Sequence, residues 1–163
     1  MDEVHFQQHG SRCQMWVPPE INDPVCRHAP TRKSISFFGA VRVNDGKLFM
    51  SQPKGMFDAN TCWDFYRRLE RLRRPGRKMV VVIDNARYHH ATLHASWRKE
   101  VAKNFCLHFL PPYSPELNPI ERVWKLVRRR CIHNRYFATL DELVEAIHPL
   151  FRSWARPNIT LRR

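Results

Sequence analysis

A continuous apolar run, Met79-Val-Val-Val-Ile83, constrains the fold of this chain more than any other feature. Five residues are too few for a core helix, and β-branched side chains favour extended backbone. Because the run is apolar on both faces, it predicts a central strand that is covered on both sides. Asp84 follows directly, at the carboxyl edge of this strand, where open α/β sheets bind their ligands. An Asx turn or a helix cap is the alternative role for this aspartate.

Shorter segments with period-two alternation precede this run and predict a meander of antiparallel strands. The sequence Asn44-Asp45-Gly46 lies between the last two segments and predicts a hairpin turn. The predicted strands are residues 2–8, 13–17, 33–43 and 47–52.

Helical periodicity begins after these strands, at Asp58, and stops at Pro75-Gly76. The apolar stripe of this segment predicts an amphipathic helix that packs on the sheet. The remaining predicted elements are a helix over 94–104, a strand over 105–110, and helices that start at Asn118 and Thr139.

The order of these elements describes an α/β layered domain with a mixed sheet. With 163 residues, the chain has the length of one domain. We expect residues 1–154 to form this domain, and residues 155–163 to be a flexible carboxyl-terminal tail.

The net charge of +13, with an isoelectric point near 10.2, indicates a polyanionic partner. Nucleic acid is the commonest such partner. The sequence has no apolar run near the ~20 residues that would span a bilayer, and no secretory signal at its start. We therefore expect a cytoplasmic, nucleoid-associated protein that does not bind membranes.

Five scattered cysteines argue against a disulfide framework. Cys26, Cys106 and Cys131 each precede a histidine by two positions, but this spacing matches no common zinc module. We expect reduced thiols, with zinc binding as the alternative.

Two further carboxylates, Asp2 and Glu121, stand at the starts of predicted elements. Asp2 begins the first strand, and residues so close to a terminus are usually solvated. Asn118 is a good N-cap, Pro119 suits the first helical position, and Glu121 then completes a capping box. Glu121 also lies at the margin of the apolar stripe, from which a side chain can face a cleft. Cap and metal ligand therefore remain two alternative roles for Glu121.

Three acids at strand and helix ends would supply oxygen ligands for hard cations such as Mg²⁺ or Mn²⁺. Two such ions about 3.5–4 Å apart can clamp the attacking and leaving oxygens of a phosphodiester displacement. Most domains of this size contain three acids near element ends, so composition alone makes this pattern only weakly specific.

Two segments, VVVIDNARYHH (80–90) and FLPPYSPELNPIERVWKLVRR (109–129), closely resemble the catalytic core of bacterial insertion-sequence transposases of the mariner-like DDE superfamily. The opening DEVHFQQHGSR (2–12) is similar to the segment that carries the first acid of that family. The resemblance covers nearly the whole chain. It implies a ribonuclease-H-like fold, with a mixed sheet and helices on both faces.

The resemblance assigns catalytic and metal-binding roles to Asp2, Asp84 and Glu121. The 36 residues between the last two agree with the spacing in the family. It implies two Mg²⁺ or Mn²⁺ ions, and DNA cutting followed by 3′-hydroxyl strand transfer as an insertion sequence moves. Asn118 and Pro119 would be the mount that turns Glu121 toward the metals.

Double-stranded DNA is the partner that the resemblance implies, at the element ends and at the target, bound by a homodimer. Family members normally carry a helix-turn-helix region before the first acid, so we expect an upstream helix-turn-helix polypeptide as a further partner. We also expect the strand that delivers Asp2 to be truncated. The predicted DNA-binding residues are Arg122, Lys125, Arg128, Arg129, Arg87 and His89.

Two other functions remain open at this stage. The first is a catalytically inactive basic DNA-binding or assembly fragment of a split or decayed transposase. The second is a ribonuclease-H-like nuclease that acts on RNA. Metal-dependent cleavage separates the inactive fragment from the enzyme.

Overall fold

The computed structural model describes residues 1–22, 24–25, 27–53 and 55–162. The first three strands form an antiparallel sheet in the order β1-β2-β3, and the last two form a parallel pair. The turn at 43–46 connects β2 to β3, which confirms the predicted hairpin. The strands are β1 (Asp2–Gln7), β2 (Ser34–Arg42), β3 (Lys47–Ser51), β4 (Met79–Ile83) and β5 (Phe105–Phe109).

Five α-helices accompany these strands in the described part of the chain, together with short 3₁₀ turns. The predicted helix start at Asp58 is confirmed, because its carboxylate accepts from the Thr61 amide at 2.8 Å and caps the first turn. The helix that begins at Pro119 continues into a π-helical turn over Arg128–Ile132. The helices are α1 (Ala59–Arg71), α2 (Ala95–Val101), α3 (Pro119–Val127), α4 (Leu140–Trp154) and α5 (Ile159–Arg162).

Strand β2 carries core residues on both of its faces. Phe37 packs with the apolar sides of α3 and α4, whereas the neighbouring Phe38 packs with α1 and the β4-β5 pair. This alternation follows from the period of two along a strand. Helices therefore cover both faces of the sheet, as the sequence predicted.

The start of β1 joins the two strand groups. The Met1 amino group donates a hydrogen bond to the Val82 carbonyl oxygen at 2.7 Å. Burial lowers the pKa of this amine to about 6, although nearby carboxylates oppose the shift. Next to Met1 lies a cavity of about 180 Å³ between residues 40–42 of β2 and residues 79–82 of β4. We call this boundary between β1-β2-β3 and β4-β5 the sheet junction.

The predicted strand over 13–17 does not form. Its backbone bonds to a side chain instead: the Cys13 amide donates to Asn134 Oδ1, and the Asn134 amide group donates to the Cys13 carbonyl, both at 3.0 Å. Trp16 and Met15 are exposed. Alternation predicted an extended segment here, but a strand also needs a neighbouring edge to pair with.

The carboxyl-terminal segment also differs from the prediction, because residues 158–162 pack on the domain. Asn158 donates from its amide to the Asp45 carbonyl and from its side chain to the Gly46 carbonyl, both at 2.8 Å. Leu161 is only 4% exposed and joins the core around α3 and α4. Gly46 has a φ of 70°, and a Cβ at this position would overlap the Asn158 backbone. Arg163, the last residue of the predicted tail, lies outside the described residues.

No helix in the described part of the chain is long and apolar enough to cross a bilayer.

Candidate active site

Asp2, Asp84 and Glu121 line one cavity of about 390 Å³, which we call the acid cavity. The first acid comes from the start of β1, the second follows the end of β4, and the third lies in the first turn of α3. Its other walls are formed mainly by the proline-rich loop over 110–115. The fold thus brings together three acids that are far apart in the sequence.

Asp2 is held from two sides. It pairs with Gly39 in the antiparallel ladder, and its Oδ2 accepts a hydrogen bond from the Trp124 indole nitrogen at 3.1 Å. A Cβ on Gly39 would overlap the far ring of that indole, so the close approach requires glycine. Burial raises the pKa of Asp2 to about 6, against the opposing effect of its hydrogen bonds.

Glu121 does not complete the predicted capping box. The Asn118 side chain makes no cap bond to α3 and instead donates to the Met1 carbonyl at 3.5 Å, a long contact in a buried setting. Pro119 occupies the first turn, as predicted. Asn118 therefore links the start of α3 to the start of β1, and these two elements carry Glu121 and Asp2.

Asp84 uses one carboxylate oxygen for structure. Its Oδ1 accepts from the Ala86 amide at 3.0 Å and lies 3.2 Å from His89 Nε2. The Ala86 contact is the Asx turn that the sequence offered as an alternative role for Asp84. The neighbouring Asn85 donates from its side chain to the Leu110 carbonyl at 2.5 Å and fixes the loop beside the cavity.

Glu3 is a fourth acid at this site, which the sequence analysis missed. One oxygen each from Asp2, Glu3 and Asp84 fall within 4.8 Å of one another. Burial raises the pKa of Glu3 to about 7, although the adjacent Tyr88 hydroxyl opposes this shift. Its Oε1 is buried and has no hydrogen-bond partner among the described residues. The Asp2-Glu3 pair at the start of a strand was the signal that could have revealed it.

Strand alternation predicts that Asp2 and Glu3 point to opposite faces, and the structure agrees. Asp2 contacts Trp124 of α3, whereas Glu3 lies near His89 on the α1 side. One oxygen of each nevertheless comes close to Asp84, which follows the end of β4.

His89 was predicted to bind DNA, and this prediction is wrong. Its side chain is 1% exposed, so no surface remains for a phosphate contact. The Nδ1 atom lies 2.6 Å from the Tyr66 hydroxyl and 3.3 Å from Cys62 Sγ. Burial lowers the pKa of His89 to about 4, which keeps the imidazole neutral near pH 7. Sequence alone did not distinguish it from its exposed neighbour His90.

The other predicted DNA-binding residues differ in the exposure of their side chains and in the contacts that these side chains make. Lys125, Arg129 and Arg87 are exposed. Arg122 is half-buried and donates to the Thr160 carbonyl at 3.3 Å, and Arg128 lies over the Phe6 ring. The charged groups of Lys125, Arg129 and Arg87 are therefore the most accessible to a phosphate.

The zinc alternative finds no support among the described residues, where the acid group of Asp2, Glu3 and Asp84 is the potential metal site. Cys106 and Cys131 are free thiols, and burial raises the pKa of Cys131. Cys26 lies outside the described residues.

The predicted mixed sheet is divided in the structure into an antiparallel sheet and a separate parallel pair of strands. With helices on both faces and acids gathered at strand ends, this arrangement is a ribonuclease-H-like α/β domain. Solved structures of the Mos1 transposase share this fold. The pre-cleavage Mos1 transpososome aligns with a TM-score of 0.69 at 16% identity, over 99% of this chain and 49% of that one. The Mos1 mariner paired-end complex with Mn aligns with a TM-score of 0.68 at 17% identity, over the same shares.

The chain belongs to the DDE superfamily endonuclease family, whose model matches residues 1–144. This match confirms the DDE-superfamily membership that the sequence predicted, and the Mos1 mariner transposase structures share the fold of the domain. An uncharacterised protein of Sinorhizobium fredii (strain NBRC 101917 / NGR234), y4pE/y4sA, is 39% identical over 69 residues, which are 42% of this chain and 47% of that protein. The chain thus spans about half the length of the relatives that it matches.

Proposed function

We propose that this chain is the catalytic domain of a transposase that cuts DNA strands and joins the freed 3′-hydroxyl to target DNA. The observation that carries the proposal is the acid cavity, where Asp2, Asp84 and Glu121 converge from three separate elements. Membership of an endonuclease family supports the reaction class. We further propose that the domain acts on double-stranded DNA as a homodimer and together with a helix-turn-helix polypeptide.

We propose that the cavity binds two Mg²⁺ or Mn²⁺ ions, and the chemistry of its donor atoms supports this choice of cation. All its acidic ligands offer oxygen, which hard divalent cations prefer. Burial raises the pKa values of Asp2 and Glu3, and Glu3 Oε1 has no hydrogen-bond partner among the described residues, so ionisation destabilises this group of carboxylates. A bound cation would relieve that destabilisation. When bound, such ions supply Lewis-acid activation of the attacking oxygen and charge stabilisation of the leaving oxygen.

The residues of the chain have separate tasks in this proposal. Asp2, Asp84 and Glu121 hold the ions, with Asn118 and Pro119 as the mount of Glu121. The proline-rich loop over 110–115 limits access to the cavity from one side. Exposed cationic side chains nearby, Arg87, Lys125 and Arg129, bind the phosphate backbone.

Conversion of single acids to amides tests this proposal. Asp84→Asn and Glu121→Gln keep side-chain size but remove a negative ligand, so Mg²⁺- or Mn²⁺-dependent nicking of supercoiled plasmid should fall by at least about 100-fold. Glu116→Gln is the matched control, because Glu116 is exposed five positions before Glu121 and does not line the cavity. Its nicking rate should equal that of the wild type.

Full nicking by both acid variants would contradict the proposal. Absence of cleavage by the wild type, with salt-sensitive DNA binding that persists in EDTA, would instead identify the inactive binding fragment. Circular dichroism of each variant establishes that the fold is intact.

A further inference from the structure

A buried chain of polar contacts leads from α1 to the acid cavity. Tyr66 and His89 are almost completely buried, and the Tyr66 hydroxyl lies 2.6 Å from His89 Nδ1. On the other side of the ring, His89 Nε2 lies 3.2 Å from Asp84 Oδ1 and 3.5 Å from Glu3 Oε1. The DNA-cleaving reaction proposed above gives these buried polar contacts no role.

The partners of the ring select one tautomer. Both groups beside Nδ1, the Tyr66 hydroxyl and the Cys62 thiol, can donate a hydrogen bond. Both groups beside Nε2 are carboxylates, which accept when ionised. The neutral imidazole therefore carries its proton on Nε2 and donates it toward Asp84.

The two oxygens of Asp84 then have different tasks. Oδ1 accepts from the Ala86 amide and lies 3.2 Å from His89 Nε2, so both groups that contact this oxygen come from the turn that follows Asp84. Oδ2 has no hydrogen-bond partner among the described residues, and Asp84 lines the acid cavity. The rotation of the carboxylate is thus set by groups that do not face the cavity.

We propose that His89 is a positioning residue that holds Asp84 with Oδ2 available for a divalent cation, and that Tyr66 fixes the tautomer of His89. This inference rests on the proposed function, because it takes Asp84 as a metal ligand. Partners that orient a ligating group typically change metal affinity by about 10–100-fold when they are removed.

Replacement of His89 in the 163-residue chain, with Mn²⁺ alone as the probe, tests the inference. His89→Leu removes the donor, and the Mn²⁺ dissociation constant measured by calorimetry should rise by about 10–100-fold. His89→Gln retains an N–H group close to the position of Nε2, and its affinity should stay near that of the wild type. His94→Leu is the matched control, because His94 is equally buried, packs on the same Tyr66 ring, and bonds the Tyr88 carbonyl rather than an acid.

The result that overturns the inference is equal Mn²⁺ affinity in His89→Leu and His94→Leu. If His89→Leu does not fold, ¹⁵N NMR of the metal-free wild type decides, since protonation on Nδ1 rather than Nε2 would exclude donation to Asp84. Asp84→Asn separates this inference from the proposed function. Unchanged Mn²⁺ binding by Asp84→Asn contradicts the metal site itself, whereas binding lost there but kept in His89→Leu contradicts only the positioning role.

Discussion

Glu3 places a carboxyl group where ionisation is unfavourable. Burial raises its pKa from 4.5 in a free chain to about 7, so between these values the folded protein binds more protons than the unfolded chain. A group of this kind makes the free energy of unfolding decrease as pH rises through the window from 4.5 to 7. The metal-free protein thus carries an electrostatic penalty at neutral pH, next to its proposed catalytic acids.

Glu3→Gln should remove this part of the pH dependence. In EDTA, the stability gained by the variant over the wild type should grow from pH 4.5 to pH 7 and approach about 3 kcal/mol. Urea unfolding at several pH values measures it. Burial lowers the pKa values of His89 and of the Met1 amine, so these groups make the free energy of unfolding increase with pH. Both groups are present in the wild type and in Glu3→Gln, so the comparison of the two proteins removes their effect.

Glu20→Gln controls for the loss of a carboxylate as such, because Glu20 is exposed. A difference between Glu3→Gln and wild type that stays constant across this pH range would contradict the assigned pKa of Glu3.

At the scale of elements, α3 determines the position of β1 through one aromatic side chain. Trp124 is buried on α3, covers Gly39 of β2 and donates to Asp2 of β1. Asn118, at the start of the same helix, donates to the Met1 carbonyl. Two acids of the cavity, Asp2 and Glu121, therefore belong to elements that are tied to each other directly.

A double-mutant cycle tests the Gly39–Trp124 contact. Gly39→Ala should destabilise the protein by about 1–3 kcal/mol, because the new methyl group overlaps the far indole ring. Trp124→Phe removes that ring, so the double variant should be more stable than the sum of the single effects predicts. Thermal unfolding measures the stability of each variant.

Trp124→Phe alone also removes the hydrogen bond to Asp2, and should weaken Mn²⁺ binding by about tenfold. Trp154→Phe is the control, since Trp154 is buried on α4 and does not contact the acids. Strict additivity in the cycle would show that Gly39 and Trp124 do not interact as described.

The sequence predicted those elements and site residues that depend on local pattern. The apolar run of β4 and the cap at Asp58 needed no knowledge of distant contacts, whereas the roles of the three acids came from the resemblance to a family. Other features depend on which distant residue arrives nearby. Asn118 had the sequence of an N-cap, but in the structure its side chain donates to the Met1 carbonyl. The segment over 13–17 has alternating hydrophobicity, but no neighbouring strand pairs with it. The burial of His89 is of the same kind, because α1 supplies the groups that surround it.

For the whole molecule, the net charge of +13 bears directly on DNA affinity. Lys125 and Arg129 are exposed one turn apart at the end of α3 and in the π-helical turn. If each contacts one phosphate, Lys125→Ala with Arg129→Ala should reduce the slope of log affinity against log salt concentration by about 2. Fluorescence anisotropy with duplex DNA across a salt series measures this slope.

Arg152→Ala with Arg156→Ala removes the same charge from exposed positions that do not line the acid cavity. This control should change the slope by less. Equal slopes for the two double variants would mean that DNA affinity depends on the net charge of the protein rather than on phosphate contacts at α3.

The sheet junction divides the acid cavity between two independently hydrogen-bonded groups of strands. Asp2 lies on the β1-β2-β3 side, and Asp84 follows β4 on the other. The Met1 amine bonds across the junction, while the cavity beside it leaves the edges of β2 and β4 apart. A relative movement of the two groups would therefore change the distance between these acids without breaking a ladder hydrogen bond. A cation bound by both acids would link the two groups of strands, so metal binding would make the whole domain more rigid.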